Sequence, residues 1–308
     1  MEWTERLRMR QLYLLVAVHE HRNISRTASR MGLTQPGLSK WLADLENDLG
    51  VKLFRREARG LQPTAHCDAL VQHARAIIGE LDRTRTTIAL LSQGATGNLV
   101  VGTTPSVSAG VVPQAAAHVA RQFPDAFLRL MEDRVDVLLA QLLEGRVDFV
   151  ITRTEQARLE PRLRLERLYP EHISVVVGPR HPLADRREVG WPEVMAYPWV
   201  APPPTSPIRR ELDHELALAG QDNPRYRVES GSALVIVSLL QTTEMVAPMS
   251  SRPMAYFRRL GQLVPLPLPN LREGSVSVIH RRDAVPTPLH GAFLDGLRAA
   301  AQADMPTA

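Results

Sequence analysis

Cysteine is almost absent from this chain of 308 residues: the single Cys67 excludes an internal disulfide and leaves no CxxC pair to hold zinc or an iron–sulfur cluster. The ten histidines are scattered and form no HExxH pattern, so neither a structural metal nor a cofactor is expected. No apolar run approaches the roughly 18 residues of a membrane span, and the opening Met1–Arg6 is charged, unlike a signal peptide. The chain is therefore expected to be soluble, cytoplasmic and free of the membrane. Also missing are a G-x-S-x-G elbow, a P-loop, a G-x-G-x-x-G fingerprint and any coherent acid–base set, and Ser106 has no base near it in sequence. No catalytic residue is expected, and an enzyme is not the reading these residues support. A hydrophobic content of 44% over this length suffices for two or three buried domains.

The charge is modest in sum, a net +4, but uneven in place. Residues 1–66 hold eleven Arg and Lys against seven acids, whereas the remainder balances 26 against 26. A basic head on a neutral body suits a polyanion-binding module joined to a sensing or assembling domain.

In that head, Leu12, Leu15, Val16 and Val18 stand close to helical spacing and predict a first helix. A second starts after the cap Asn23 and ends at Gly32, which supplies a left-handed residue. Gly32–Thr34 then leads into a third, capped by Thr34, with Pro36 tolerated in the first turn and Leu38, Trp41, Leu42, Leu45 and Leu49 on one face. Two short helices joined by a tight glycine turn make a helix-turn-helix. Val51–Phe54 and Leu61–Thr64 read as two short strands around the basic turn Arg55–Gly60, a wing. From Ala65 to about Gln93 a long helix of about 40 Å is expected. Its stripe of Leu70, Val71, Ala74, Ile77, Ile78, Leu81, Ile88 and Leu91 needs a partner, which reads as a dimerising linker.

After Gly94–Gly97 the pattern changes to strand–helix alternation, with strands expected at 99–102, 127–131, 147–152, 173–178, 199–201, 226–229, 245–247 and 276–280 and a helix from about Ser108 to Gln122. Such alternation argues for parallel α/β sheets. Turn-rich stretches around Leu165–Pro170 and Pro265–Glu273 are placed to carry the chain twice between two lobes, with a ligand cleft between them. No internal repeat is visible, and Pro202–Pro204 is a stiff loop.

The run Ile24–Lys40, followed by Leu45-Glu46 and Leu49–Arg56, closely resembles the signature of the LysR-type transcriptional regulators. The likeness continues through Phe123–Asp125, Leu143–Val150 and His181–Ala184, and so covers essentially the whole chain. It implies a winged helix-turn-helix, a long linker helix and a two-lobed effector domain like a type II periplasmic binding protein. The expected boundaries are 1–66 for the DNA-binding domain, 67–96 for the linker and hinge, and 97–308 for the effector domain. Within the last, lobe I takes about 97–167 and 270–308, and lobe II about 168–269. The resemblance further implies promoter DNA as partner, a homodimer or homotetramer, and RNA polymerase as a further partner. One departure stands out. Where the family reads Leu-Thr-x-Ala-Gly, this chain has Pro63–Cys67, and Cys67 is either a packed small hydrophobe or a redox sensor.

The third helix should enter the major groove N-terminus first, since only its first turns are free of the core stripe. Gln35, Ser39 and Lys40 are the candidates for base edges, and Thr34 with the helix terminus for phosphate; Pro36 lies among them. Arg55, Arg56 and Arg59 suit the minor groove or backbone. In the effector domain, ligands of parallel α/β lobes sit at the carboxyl ends of strands. Thr104 and Ser106 follow the first strand there; Ser106 corresponds by resemblance to a position where relatives touch an effector carboxylate. Thr152 ends its strand with Arg153 at the cleft lip, while Thr205, Ser232 and Met249 come from the second lobe, Ser232 equally as an N-cap. The expected effector is an organic acid. Control by a protein partner or by redox is the alternative, and a transport solute-binding protein is disfavoured by the basic head.

Overall fold

The computed structural model describes residues 7–57, 60–92, 94–154, 160–269 and 271–303. They form two compact units, residues 1–89 with 143–146, and 90–142 with 147–308.

In the first unit, α1 (Met9–His21), α2 (Ile24–Arg30) and α3 (Gln35–Leu49) pack on a core of Leu12, Leu15, Val18, Ala28, Leu38, Leu42 and Leu45. The helix ends are set by the residues that the sequence marks. Asn23 accepts from the Arg26 amide at 2.9 Å and Thr34 from the Gly37 amide at 3.2 Å. Gly32 and Gly50 turn the chain at φ +65° and +67°, a region that costs a side-chain-bearing residue energy. His19 and His21 stand two apart but face different partners, Asp68 at 2.9 Å and Arg30 at 2.9 Å.

The wing differs from expectation. Its strands are β1 (Phe54–Glu57) and β2 (Gly60–Pro63), so Arg55 and Arg56 lie in a strand rather than a turn, and Val51–Leu53 are not strand. The reason is Glu46. Its carboxylate takes the Leu53 and Phe54 amides at 2.9 and 3.1 Å and the Lys52 ammonium at 2.7 Å, which holds Lys52 and Leu53 out of the strand, and the ladder starts at Phe54. The long helix α4 (Ala65–Ser92) follows; its Cys67, Val71 and Ala74 are buried in the head's core, whereas Ile77, Leu81, Ile88 and Leu91 are exposed.

The second unit is a mixed sheet with helices on its faces. Lobe I comprises β3 (Gly97–Thr103), α5 (Val111–Gln122), β4 (Ala126–Glu132), α6 (Val135–Leu143) and β5 (Phe149–Thr154). A long β6 (Leu163–Val177) leads to lobe II, with α7 (Trp191–Met195), β7 (Trp199–Ala201), α8 (Pro207–Leu218), β8 (Tyr226–Glu229), α9 (Ala233–Thr242), β9 (Val246–Ser250), α10 (Ser251–Arg259) and β10 (Val264–Pro265). β11 (Leu271–Arg281) returns to lobe I, which ends in α11 (Pro288–Ala303). The strand order is β4-β3-β5-β11-β6-β9-β7-β8, with β10 on β6.

Three expectations are corrected here. The all-parallel sheet holds only within each lobe, where β3 pairs parallel with β4 and β5, and β7 with β8 and β9; the crossing strands β6 and β11 are antiparallel to each other and to their neighbours. The stretch Leu165–Pro170 is strand, not turn: Pro170 falls before β9 joins β6 at Ile173, where β6 is still an edge and tolerates a missing N–H. β5 starts at Phe149 rather than Val147, because Asp148 spans to β3 instead, its amide donating to the Val100 carbonyl and its carboxylate accepting from the Val100 amide. The lobe I core joins Leu99, Val101, Phe149 and Val278 of the sheet to Val111, Ala115, Phe293 and Leu297 of the helices. No described helix is long and apolar enough to cross a membrane.

Candidate DNA-reading head and effector cleft

The cap and first two turns of α3 carry the residues expected to meet DNA. Thr34, Gln35, Pro36 and Lys40 are exposed and Ser39 is half-buried, while Leu38 between them is sealed in the core. The Gln35 amide nitrogen donates to the Ser39 hydroxyl at 3.1 Å, which holds two polar groups side by side on the helix face. Arg55 is exposed on β1; Arg56 shares that strand, but its side chain lies outside the described ones, and Arg59 lies outside the described residues altogether. The wing is fastened to the helices by the Leu61 amide, which donates to the Arg22 carbonyl at 3.0 Å. Arg22 itself adopts φ 49°, an uncommon region for a residue with a side chain.

In the second unit a cavity of about 260 Å³ opens between the lobes. Thr104 and Ser106, from the loop after β3, form its floor, with their hydroxyls 3.2 Å apart. Opposite stand Thr205, Ser206 and Ser230 of lobe II. Pro202, Pro203, Ile208, Ile236 and Met249 make the walls apolar.

Of the expected effector residues, Thr104, Ser106, Thr205 and Met249 line this cavity. Three do not. Thr152 is buried beneath the floor, within 3.2 Å of the Thr104 hydroxyl, and so positions rather than lines. Ser232 caps α9, accepting from the Val235 amide at 3.4 Å. Arg153 is not at a cleft lip: the strand continues through Thr154, and the side chain is 1% exposed in an ion pair with Glu171. The sequence reading also missed the loop Glu132–Asp136 on the rim, where Arg134 is held by two hydrogen bonds to Asp136 at 3.1 and 2.7 Å. That loop follows the carboxyl end of β4, so the rule that pointed to Thr104 could have found it.

Cys67 is fully buried, and burial, with Asp68 and Glu46 adding to it, pushes its thiol up to about 12. Among the described residues no group of His, Cys, Asp or Glu could hold a metal.

A winged helix-turn-helix in one unit and a cleft between two lobes in the other are the architecture of a DNA-binding regulator with a separate effector-binding domain. A family model described as the LysR substrate binding domain matches residues 92–302, and one described as the bacterial regulatory helix-turn-helix protein, lysR family, matches residues 9–68. This chain belongs to the LysR-type transcriptional regulators: it is a DNA-binding regulator with an effector-binding domain. It is 30% identical over 291 residues to the transcriptional regulator GalR of Pseudomonas putida, covering 94% of this chain and 73% of that one. It is 28% identical over 242 residues to the regulator GbpR of Azospirillum brasilense, covering 78% and 71%. The fold is that of full-length CbnR solved with its target DNA, at a TM-score of 0.59 and 20% identity over 96% of this chain and 100% of that one.

Proposed function

We propose that this regulator reads promoter DNA with the leading turn of α3 and that an organic acid bound in the interlobe cleft changes its action. The observation that carries the second half is that hydroxyls of both lobes, Thr104 and Ser106 from one and Thr205 and Ser206 from the other, line a single cavity with apolar walls and the charged rim Glu132–Asp136. Hydroxyls suit a carboxylate, and the proline-rich walls with Met249 suit an apolar body. A ligand touching both lobes binds one lobe arrangement better than another, which is what an effector requires.

On the DNA side, Gln35, Ser39 and Lys40 read base edges, Thr34 and Pro36 set the helix end against phosphate, and Arg55, Arg56 and Arg59 hold the wing on the backbone or minor groove. CbnR, a neighbour in fold, was solved with its target DNA, which supports DNA as the partner of this head. The exposed Ile77, Leu81, Ile88 and Leu91 of α4 are the self-association stripe of a cytoplasmic dimer or tetramer, with RNA polymerase as the further partner. We place the domain boundaries at 66 and 96. Redox control through Cys67 is disfavoured, because a buried, protonated thiol is a poor nucleophile.

The test is a thermal-shift panel of full-length protein with benzoate, salicylate, succinate and muconate. At least one acid should raise the midpoint of the effector unit, and Ser106→Val should abolish that rise while leaving DNA binding intact. If no acid shifts the wild type, the effector chemistry is wrong while the DNA reading stands.

A further inference from the structure

Behind the cleft, where β6 and β11 carry the chain between lobes, two arginines gather around one buried carboxylate. Arg153 of β5 and Glu171 of β6 are 2% and 1% exposed. Their charged groups stand 3.8 Å apart, and Arg153 Nη1 also donates to the Glu171 carbonyl at 3.2 Å. A Cβ on Gly274 of β11, the register partner of Glu171, would lie 2.7 Å from the guanidinium, so a larger residue there would displace Arg153.

Arg252, the second residue of α10, completes the group. Its guanidinium lies over the Tyr169 ring of β6, 3.7 Å from the ring centre. It also donates to the Ala300 and Ala301 carbonyls of α11, at 3.1 and 2.9 Å. Those carbonyls belong to the last turn of the helix, where intrahelical donors run out and the dipole favours a cation. Arg252 therefore begins in lobe II and ends in lobe I.

Both ends of the group lie close to the cavity. Thr152, beside Arg153, holds the floor hydroxyl of Thr104, and Ser250 and Pro253, close on either side of Arg252 in the chain, line the opposite wall. Building on the effector reading of the cleft, we infer that Arg252 is a positioning residue that couples cleft occupancy to lobe arrangement, tying the Pro248–Pro253 wall to Tyr169 and to the C-terminal turn of α11. A ligand that draws this wall inward must carry α11 with it or give up the stack and both hydrogen bonds, so the lobes have discrete arrangements rather than a continuum. The carboxylate at the centre sets the strength of the tie. Burial pushes Glu171 up to about 7 against the pull of Arg153 and Arg252. The groups facing it are Arg153 from β5, Arg252 from α10, Ser250 from β9 and the side-chain-free Gly274 of β11.

Hydrogen–deuterium exchange on the full-length chain tests this, with sodium benzoate as the probe. In the absence of ligand, Arg252→Lys, which keeps the charge but loses the fork, should speed exchange in residues 293–303 about tenfold while β3 and α8 remain as in the wild type. Tyr169→Phe should behave as wild type and Tyr169→Leu as Arg252→Lys, which keeps the test open if the arginine variant folds poorly. Wild-type protection in 293–303, corrected for chemical exchange, should change between pH 6 and 8, and Glu171→Gln should flatten that profile. Benzoate should alter exchange in 293–303 of the wild type but not of Arg252→Lys, although both bind it. Wild-type exchange in Arg252→Lys, or an unflattened profile in Glu171→Gln, overturns the coupling. Failure of benzoate to bind the wild type sets aside the effector chemistry instead, and the ligand-free exchange still decides the tie between lobes.

Discussion

Glu46 shows how one buried carboxylate can fix a functional surface at a distance. It sits near the opposite end of α3 from the turn proposed to face DNA, yet it helps set where the wing begins by occupying the Leu53 and Phe54 amides. Although burial pushes its pKa up, the hydrogen bonds from Lys52, Phe54 and Leu53 hold it below the ordinary value of 4.5. The carboxylate's contribution is therefore complete above pH 4.5 and is lost as pH falls through the depressed folded value. Glu46→Ala leaves two amides unpaired, and we expect it to cost the head about 2–4 kcal/mol, read by urea unfolding, with weaker DNA binding as a consequence. Gln35 belongs to the same scale. Gln35→Ala should remove about 1–3 kcal/mol of discrimination in selections from a random duplex library. Equal losses on selected and random duplexes would count against a base-reading role. The sequence identified Gln35 through its place in the helix's leading turn. It could not identify Glu46, whose partners lie seven and eight residues away and are brought to it by the Gly50 turn.

Among elements, α4 joins two environments in a single helix. The first three turns belong to the head's core, where Val71 and Ala74 are 2% and 1% exposed, whereas Ile88 and Leu91 further along are 60% and 53% exposed. An apolar stripe left in water asks for a second helix. If α4 carries the proposed self-association stripe, Leu81→Glu combined with Ile88→Glu should leave the chain monomeric in sedimentation velocity, with the fold of each unit kept by circular dichroism; a sedimentation coefficient equal to the wild type's would count against that stripe. The helices of the head were legible because their caps and periodicity are local. The crossing strands were not: Leu165–Pro170 carries turn-like residues, and it becomes strand only because β11, more than a hundred residues later, lies alongside.

At the scale of the whole molecule, the effector unit contains a cost that depends on pH. Glu171 titrates near 7 in the folded chain against an ordinary 4.5, so the folded state holds its proton more tightly than the unfolded chain. The sign follows: the wild type should lose stability as pH rises from about 4.5 to about 7 and then level off, by on the order of a few kcal/mol. Glu171→Gln should be flatter across that window and at least as stable at pH 8. A wild type whose calorimetric midpoint rises from pH 5 to 8 would refute this. Sequence alone determined what depends on neighbours along the chain: the capped helices, the leading turn with Gln35 and Lys40, the small hydroxylated loop at Thr104–Ser106 and the two-lobed class. It misplaced Arg153 at the cleft, because one side chain's exposure depends on whether a strand ends at Thr152 or runs on to Thr154. Tertiary structure alone decided that Arg153, Glu171 and Arg252 share one buried site. Charges so far apart in sequence meet only when two lobes close their backbone hydrogen bonds around them, and no local preference encodes that encounter.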